Sequence, residues 1–514
     1  MTVSALDNDH VRGYRQFLNG FFVQDDWQVT PRLTVNLGVR YEFISNPSEV
    51  NGKISNFADP RDAELRISKT IFNQNPSTKN FMPRVGLAWD VFGNGKTALR
   101  TGFGTYYEQI LPRIYRLLNL SPPFFRFALA VNPTFFPTID FNQLTAFQPN
   151  QLTIRGIDPN LETPYAIQYN FEVQQQITET LRVAAGYAGT RGVKLFQRSN
   201  FNLRVEDILP DGRRFWPAGR PFINPNFGPI EWRTSQVSSF YNALELSVEK
   251  RLSHGLRFQV AYTFSRSVDD GAGSTTQEAQ NEPLFTPIFW DLQHTNRGLS
   301  GFDMRHAFVF NYNYALPIQA SRDLRSQILG GWELNGITTL QTGTPMTIAL
   351  GFDRARNGLS GARIADRPNL RAGFSNSPVS GVTGGCLGVR GGQKLGGPDL
   401  YLDPCAFELQ PEGFLGNLGR NTVIGPGLAN VDFSIQKRFI MPGEGKQLLF
   451  RAEFYNIFNR PNFYIPGQID RAVAESGGLN VFTDASGAAA PNFGRIFVTS
   501  TISRQIQFGL KYIF

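Results

Sequence analysis

At 514 residues the chain is long enough for several ordinary domains or for one large β-barrel. Its formal net charge of +8 is dispersed, without the clustered Lys and Arg or the recognisable module that nucleic-acid binding needs, so no nucleic-acid partner is expected. No apolar run approaches the ~18 residues of a membrane helix, and "MTVSALDNDHVRGYRQ" lacks the basic start and apolar core of a signal peptide.

Alternation of apolar and polar residues dominates the chain. In "RLTVNLGVRYEF", Leu33, Val35, Leu37, Val39, Tyr41 and Phe43 share one face, and Thr34, Asn36, Gly38, Arg40 and Glu42 share the other. "PYAIQYNFEVQQQIT" opposes Tyr165, Ile167, Tyr169, Phe171 and Val173 to Gln168, Asn170, Glu172 and Gln174. "GLRFQVAYTFS", "RHAFVFNYNYALP" and "ANVDFSIQKRF" repeat the division. The closing stretch, "ISRQIQFGLKYIF", places Ile506, Phe508, Leu510, Tyr512 and Phe514 against Gln505, Gln507, Gly509 and Lys511. Period two sustained in this way marks strands with one apolar and one polar face. About thirteen strands are expected, starting near residues 14, 32, 80, 96, 164, 180, 239, 255, 303, 331, 428, 446 and 504.

The connections alternate in length. Short ones are "TPR", "GNGK", "TET", "SHG" and "PGEGK", with "PIQASRDLRSQILGG" in the same series. Between them lie long irregular segments near 46–79, 109–163, 192–238, 269–302, 344–427 and 459–503. Long loops argue against a compact soluble domain, yet they are expected outside a transmembrane β-barrel whose short turns face the periplasm. Aromatic residues cluster near strand ends, at Tyr106 and Tyr107, Tyr312 and Tyr314, and Tyr455 and Phe458, as interfacial girdles do. A soluble sandwich or propeller would also alternate, but no blade-length repeat is visible. The expected fold is all-β: an antiparallel transmembrane β-barrel in the outer membrane. A last strand in such a wall ends on Phe514 at the periplasmic interface, and only a closed wall satisfies every backbone group in lipid.

Cys386 and Cys405 lie in one Gly-rich segment, "GGCLGVRGGQKLGGPDLYLDPCAF", which fits a loop-stapling disulfide in an oxidising compartment, with two free thiols as the alternative. There is no CxxC spacing, and His10, His254, His294 and His306 are scattered, so no metal site is expected.

Several segments resemble TonB-dependent outer-membrane receptors. "GFFVQDDWQVTPRLTVNLGVRYEF" is similar to a hairpin typical of that family. "NRGLSGFDMRHAFVFNYNYALP", "GGWELNGITTLQTGTPMTI", "LLFRAEFYNIFNRPNF" and "GYAGTRGVKL" look like its Oar-like branch. The resemblance implies a barrel of about 22 strands enclosing a plug. About thirteen strands would make residues 1–514 the C-terminal part of such a barrel, with roughly nine strands and the plug domain absent and residues 1–13 the tail of an extracellular loop. The two outermost strands would then be unpaired edges of an incompletely closed sheet. Contact with the TonB complex would run through the missing N-terminal part. A strand carrying Phe508, Leu510, Tyr512 and terminal Phe514 also resembles the signal read by the outer-membrane assembly machinery.

Enzymatic activity is not expected, and no catalytic or cofactor-binding residue is assigned. Acid–base chemistry needs convergent carboxylates or histidines. Asp269 with Asp270, Asp303 with His306, and Asp432 with Glu453 read better as lumen or loop polar residues. "RGLSGFDMRH" suggests that Asp303, Arg305 and His306 organise the start of a strand. In the long loops, Trp216, Trp232, Trp290 and Tyr401 with Arg354 and Arg356 offer stacking faces and donors for a sugar, a peptide or an anionic molecule. Packing between loops, or contact with outer-membrane lipid and lipopolysaccharide, explains them equally well. Two functions remain: uptake of a large nutrient such as an oligosaccharide or peptide, or a non-transporting adhesin or scaffold on the same barrel. The substrate is unknown from sequence.

Overall fold

The computed structural model describes residues 2–4, 8–9, 11–125, 127–129, 145–146, 153–271, 286, 288–318, 320–359, 366–467 and 479–514. One large sheet organises them. Its path runs through β1 (Leu18–Thr30), β2 (Leu33–Ile44), β3 (Phe81–Asp90), β4 (Thr97–Tyr107), β5 (Tyr165–Gln176), β6 (Leu181–Asn200) and β7 (Ile230–Ser253). It continues through β8 (Leu256–Asp269), β9 (His306–Ala315), β10 (Trp332–Gln341), β11 (Leu428–Ile440), β12 (Gln447–Tyr455) and β13 (Gln505–Ile513). Each strand pairs antiparallel with the next in sequence, so the sheet is an unbroken meander. These are the strands anticipated from the alternation.

Two starts differ from the expectation. The first strand begins at Leu18, because Tyr14 and Arg15 pair instead with Glu49 and Ser48 in the loop after β2. β7 begins at Ile230, ahead of the expected 239. Its first residues are buried on both faces, paired with β6 on one side and with Ile154–Ile157 in parallel on the other. Alternation is not required where loops cover both faces, so the sequence pattern is silent there.

Turn chemistry explains the short end. The β7–β8 hairpin closes with Ser253 opposite Leu256, and His254 and Gly255 take φ of 51° and 78°. Two successive positive φ values match a type I′ turn, whose twist suits paired strands. In the longer β10 approach, α1 (Leu324–Leu329) is capped by Asp323, whose Oδ2 accepts the Ser326 N–H at 2.8 Å.

The register builds one apolar surface across the whole sheet. Val23 lies opposite Val39, Val39 opposite Pro83, Val85 opposite Phe103, and Phe103 opposite Tyr169. Further on, Tyr187 opposes Leu244, Leu244 opposes Phe264, Phe310 opposes Val260, and Phe450 opposes Leu510. These residues face outward: Leu37 keeps 45% of its surface exposed and Phe508 keeps 68%. An apolar face spanning thirteen strands far exceeds the few hundred Å² that soluble proteins leave open, so its solvent is lipid. Tyr169 and Tyr187 donate from their hydroxyls to Asn242 Oδ1 at 3.3 and 2.6 Å on this same face, as girdle tyrosines do at a headgroup boundary.

Among the described residues the sheet is not closed: β1 pairs only with β2 and β13 only with β12. Both run from the long-loop end to the short-turn end, so they are parallel to each other. An open edge in hydrocarbon leaves backbone groups unsatisfied at several kcal/mol each.

Candidate functional site

The polar face of the wall and the loop layer above it hold the chemistry. On the inward face of β1–β6, Gln24, Asn36, Arg84, Gln168 and Asn170 surround a hollow of about 470 Å³, floored by Gly38, Gly86, Gly102 and Gly104. The glycines make the hollow, since a Cβ on Gly102 would meet Asn170 Oδ1 at 3.0 Å. Arg84 lies over the Tyr106 ring at 4.5 Å. A second hollow of about 850 Å³ follows β7–β12, lined by Glu249, Arg257, Gln259, Asn311, Asp432 and Glu453 among others. The inward side chains are tied to one another. Arg182 pairs with Glu249 at 2.7 Å, Asn313 donates to Asn335 Oδ1 at 2.6 Å, and Asn430 donates to Asp432 at 2.9 Å. The face is therefore polar and internally hydrogen-bonded.

Above it, the described residues of the long loops bury four apolar clusters. The largest joins the β10–β11 and β12–β13 loops through Met346, Ile348, Leu402, Phe407, Val481 and Phe493. Cys386 and Cys405 are bonded beside this cluster, with their Cα atoms 5.5 Å apart, and Cys405 is buried within the layer. Replacing both cysteines with serine is expected to cost about 3 kcal/mol of local stability. Limited proteolysis would register it as faster cutting between the two positions; equal rates would show that apolar packing alone holds the segment.

Comparison with known proteins places this architecture. Residues 1–507 match the family described as outer membrane beta barrel domain. The chain belongs to that family. A curated relative, the TonB-dependent transporter Oar of Myxococcus xanthus, is 26% identical over 326 residues, which is 58% of this chain and 28% of the relative. The chain thus spans less than a third of that protein's length. Among solved structures, the outer membrane transporter YddB of Escherichia coli is 12% identical, covers 96% of this chain and 44% of its own, and has a TM-score of 0.47. The siderophore receptor PirA of Acinetobacter baumannii is 10% identical, with 96% and 45% covered and a TM-score of 0.41. As an outer-membrane β-barrel protein, the chain has its short turns on the periplasmic side and its loop layer outside.

Within this barrel protein the proposed ligand residues fall into two groups. Trp216 has no exposed surface, and its Nε1 donates to the Arg204 carbonyl at 2.9 Å. Trp232 packs against Phe57, and Tyr401 is buried with its hydroxyl donating to the Ile424 carbonyl at 3.1 Å. These three rings hold loops together and present no stacking face. Burying a large aromatic stabilises more than leaving it open to water, provided its polar atom finds a partner, as the Trp216 N–H and the Tyr401 hydroxyl do. Trp290 remains 39% exposed, edge-on to Phe289. Arg354 donates to the Gln410 carbonyl at 2.6 Å and lies 3.6 Å from Glu412, and Arg356 pairs with the same carboxylate. Both arginines thereby pin one loop segment to another.

The motif residues do organise a strand start. Asp303 accepts the Ser267 N–H, and His306 Nδ1 meets the Tyr262 hydroxyl at 2.8 Å. Sequence reasoning missed Glu231, a buried carboxylate reached by Arg198 at 2.7 Å, Arg233 at 3.0 Å and Arg155 at 3.6 Å. No local pattern signals it, since Arg233 is two residues along the same strand but Arg198 and Arg155 come from separate segments.

Asp366 is a second buried carboxylate, accepting the Ala355 N–H at 2.7 Å and the Asn357 amide at 3.2 Å. Burial pushes its carboxyl up to about 7, helped by the neighbouring Asp353 and opposed by the hydrogen bonds. The unfolded carboxyl ionises first, so the folded loop loses stability as pH rises from about 4 through 7. Asp366→Asn should remove this dependence. The ratio of wild-type to variant cutting within 350–371 is expected to climb from near one at acid pH to about tenfold at pH 8. A flat ratio would contradict the assignment.

Proposed function

We propose that the chain is barrel wall of a TonB-dependent importer for a large nutrient, an oligosaccharide or a peptide. The observation that carries this reading is the continuous polar inward face, with hollows of about 470 and 850 Å³ beneath a packed loop layer. Amide and hydroxyl side chains with scattered charges suit a hydroxyl- or amide-rich solute passing along the wall. The similarity to Oar supports coupling to TonB, which we assign to the C-terminal barrel part of a longer receptor acting together with an N-terminal part. Phe508, Leu510, Tyr512 and Phe514, all outward-facing, are the residues we assign to recognition by the assembly machinery.

The test is uptake of labelled oligosaccharides and peptides by cells carrying the whole gene product, with and without the TonB complex. Saturable uptake lost with TonB supports the reading; uptake indifferent to TonB or to deletion of the gene overturns it. Because β1 and β13 each lack a second neighbour among the described residues, residues 1–514 expressed alone are expected to give no energy-dependent uptake. The extensive loop layer favours a second reading, a non-transporting adhesin or scaffold, which surface binding without uptake would select.

A further inference from the structure

The lipid-facing rim of β6, β7 and β8 carries positive charge of its own. Arg191 on β6 lies opposite Phe240 on β7, and Arg266 on β8 lies opposite Asn242, the residue that receives both tyrosine hydroxyls. Arg191 and Arg266 therefore stand on the outward face, one residue pair beyond or level with the girdle tyrosines, at the depth of lipid headgroups. The guanidinium of Arg191 sits 5.3 Å from the Phe240 ring centre, and that of Arg297, arriving from the loop before β9, sits 5.4 Å from the same ring. Arg297 also lines a cavity of about 270 Å³ with His294, Thr295, Arg367 and the segment 415–420, and none of its lining residues is acidic.

Charge balance separates this patch from the rest of the outer end. Arg198, Arg214, Arg220, Arg356 and Arg420 each hold a carboxylate. Among the described residues, Arg191, Arg266 and Arg297 have neither an ion pair nor a side-chain hydrogen bond. The nearby acids make their direct contacts elsewhere: Asp269 holds Arg420, Asp270 accepts the Ser238 N–H at 2.7 Å and feels Arg297 only at longer range, and Asp291 holds Arg214 and His294. Two guanidinium groups over one ring, with a third one register pair away on the same face, call for an anion, and planar guanidinium forks match phosphate oxygens.

We propose that Arg191, Arg266 and Arg297 bind the phosphate groups of an outer-leaflet lipid headgroup, with the cavity that Arg297 lines receiving the phosphate nearest to it. The acyl chains of that lipid lie along the apolar face that runs down through Leu244 and Phe264. Basic pockets at membrane boundaries hold anionic headgroups by this combination of charge and depth.

The experiment uses the outer-membrane protein isolated in mild detergent and reads bound lipid by native mass spectrometry. The probes are bisphosphorylated lipid A, the same lipid stripped of its phosphates, and inorganic phosphate. The expected result is at least tenfold preference for the phosphorylated lipid, lost when Arg191, Arg266 and Arg297 are all changed to Gln and kept when Arg213 and Arg371, which pair with Asp211 and Glu408, are changed instead. Equal binding of the stripped lipid would overturn the proposal. So would displacement of the lipid by inorganic phosphate at matching concentration, which would make the ligand a free anion. Should the triple variant fail to assemble, the comparison of the two lipids on the unaltered protein still decides.

Discussion

Replacing Arg420 with alanine is expected to loosen the loop layer by about 3–5 kcal/mol, the usual result of removing one partner from a buried ion pair. The side chain is almost fully buried. Its Nε donates to the Asn296 carbonyl at 2.9 Å, its other nitrogens reach the Gly271 and Asp269 carbonyls, and it pairs with the Asp269 carboxylate. One guanidinium thus joins the end of β8, the segment before β9 and the loop before β11. Its loss leaves carbonyls and a carboxylate in a protein environment with no donor. The check is protease sensitivity of residues 292–300 and 415–420 in the assembled protein. Cutting at both places should rise together, and Asp269→Asn in the same background should recover part of the loss by removing the orphaned charge. Independent or unchanged cutting at the two places would show that the loops are not held through Arg420.

The second expectation concerns which face meets lipid. Leu246, in the middle of β7, lies between Ala185 and Tyr262 on the outward surface and is 40% exposed. Leu246→Arg should cost about 2–4 kcal/mol, because a charge at that depth must be desolvated in hydrocarbon. Ser247→Arg, one residue along and facing the lumen, should cost little, because its charge stays in water. The amount of heat-modifiable protein assembled in the outer membrane measures both: a large drop for the first and a near-normal level for the second. Equal losses would mean that the wall's facing has been assigned incorrectly.

The sequence by itself determined the wall. Side chains on a strand alternate with a period of two, so the pattern of Leu33 to Phe43 or Ile506 to Phe514 states both that a strand is present and which face it turns to lipid. Alternating connection lengths then determine the order, because antiparallel neighbours need only a turn at one end. Most expected strand starts lie within a few residues of the observed ones for this reason. The early start of β7 is the largest departure, since above the membrane both faces are covered and no alternation is imposed.

Only the tertiary structure decided the loop layer. Aromatic content and arginine content marked the loops as able to bind something, yet Trp216, Trp232 and Tyr401 turn inward while Trp290 does not. Composition does not separate these cases, because each depends on which distant segment arrives to cover the ring. Arg420 meets the Asn296 carbonyl across a separation of 124 residues, and Asn224 reaches the Pro60 carbonyl across 164. Arg191 and Arg297 likewise meet only at Phe240, and the register of β6, β7 and β8 sets Arg266 one pair away on the same face. Burial and charge pairing are properties of assembled neighbours, and a linear pattern with a period of two carries no information about neighbours so far apart along the chain.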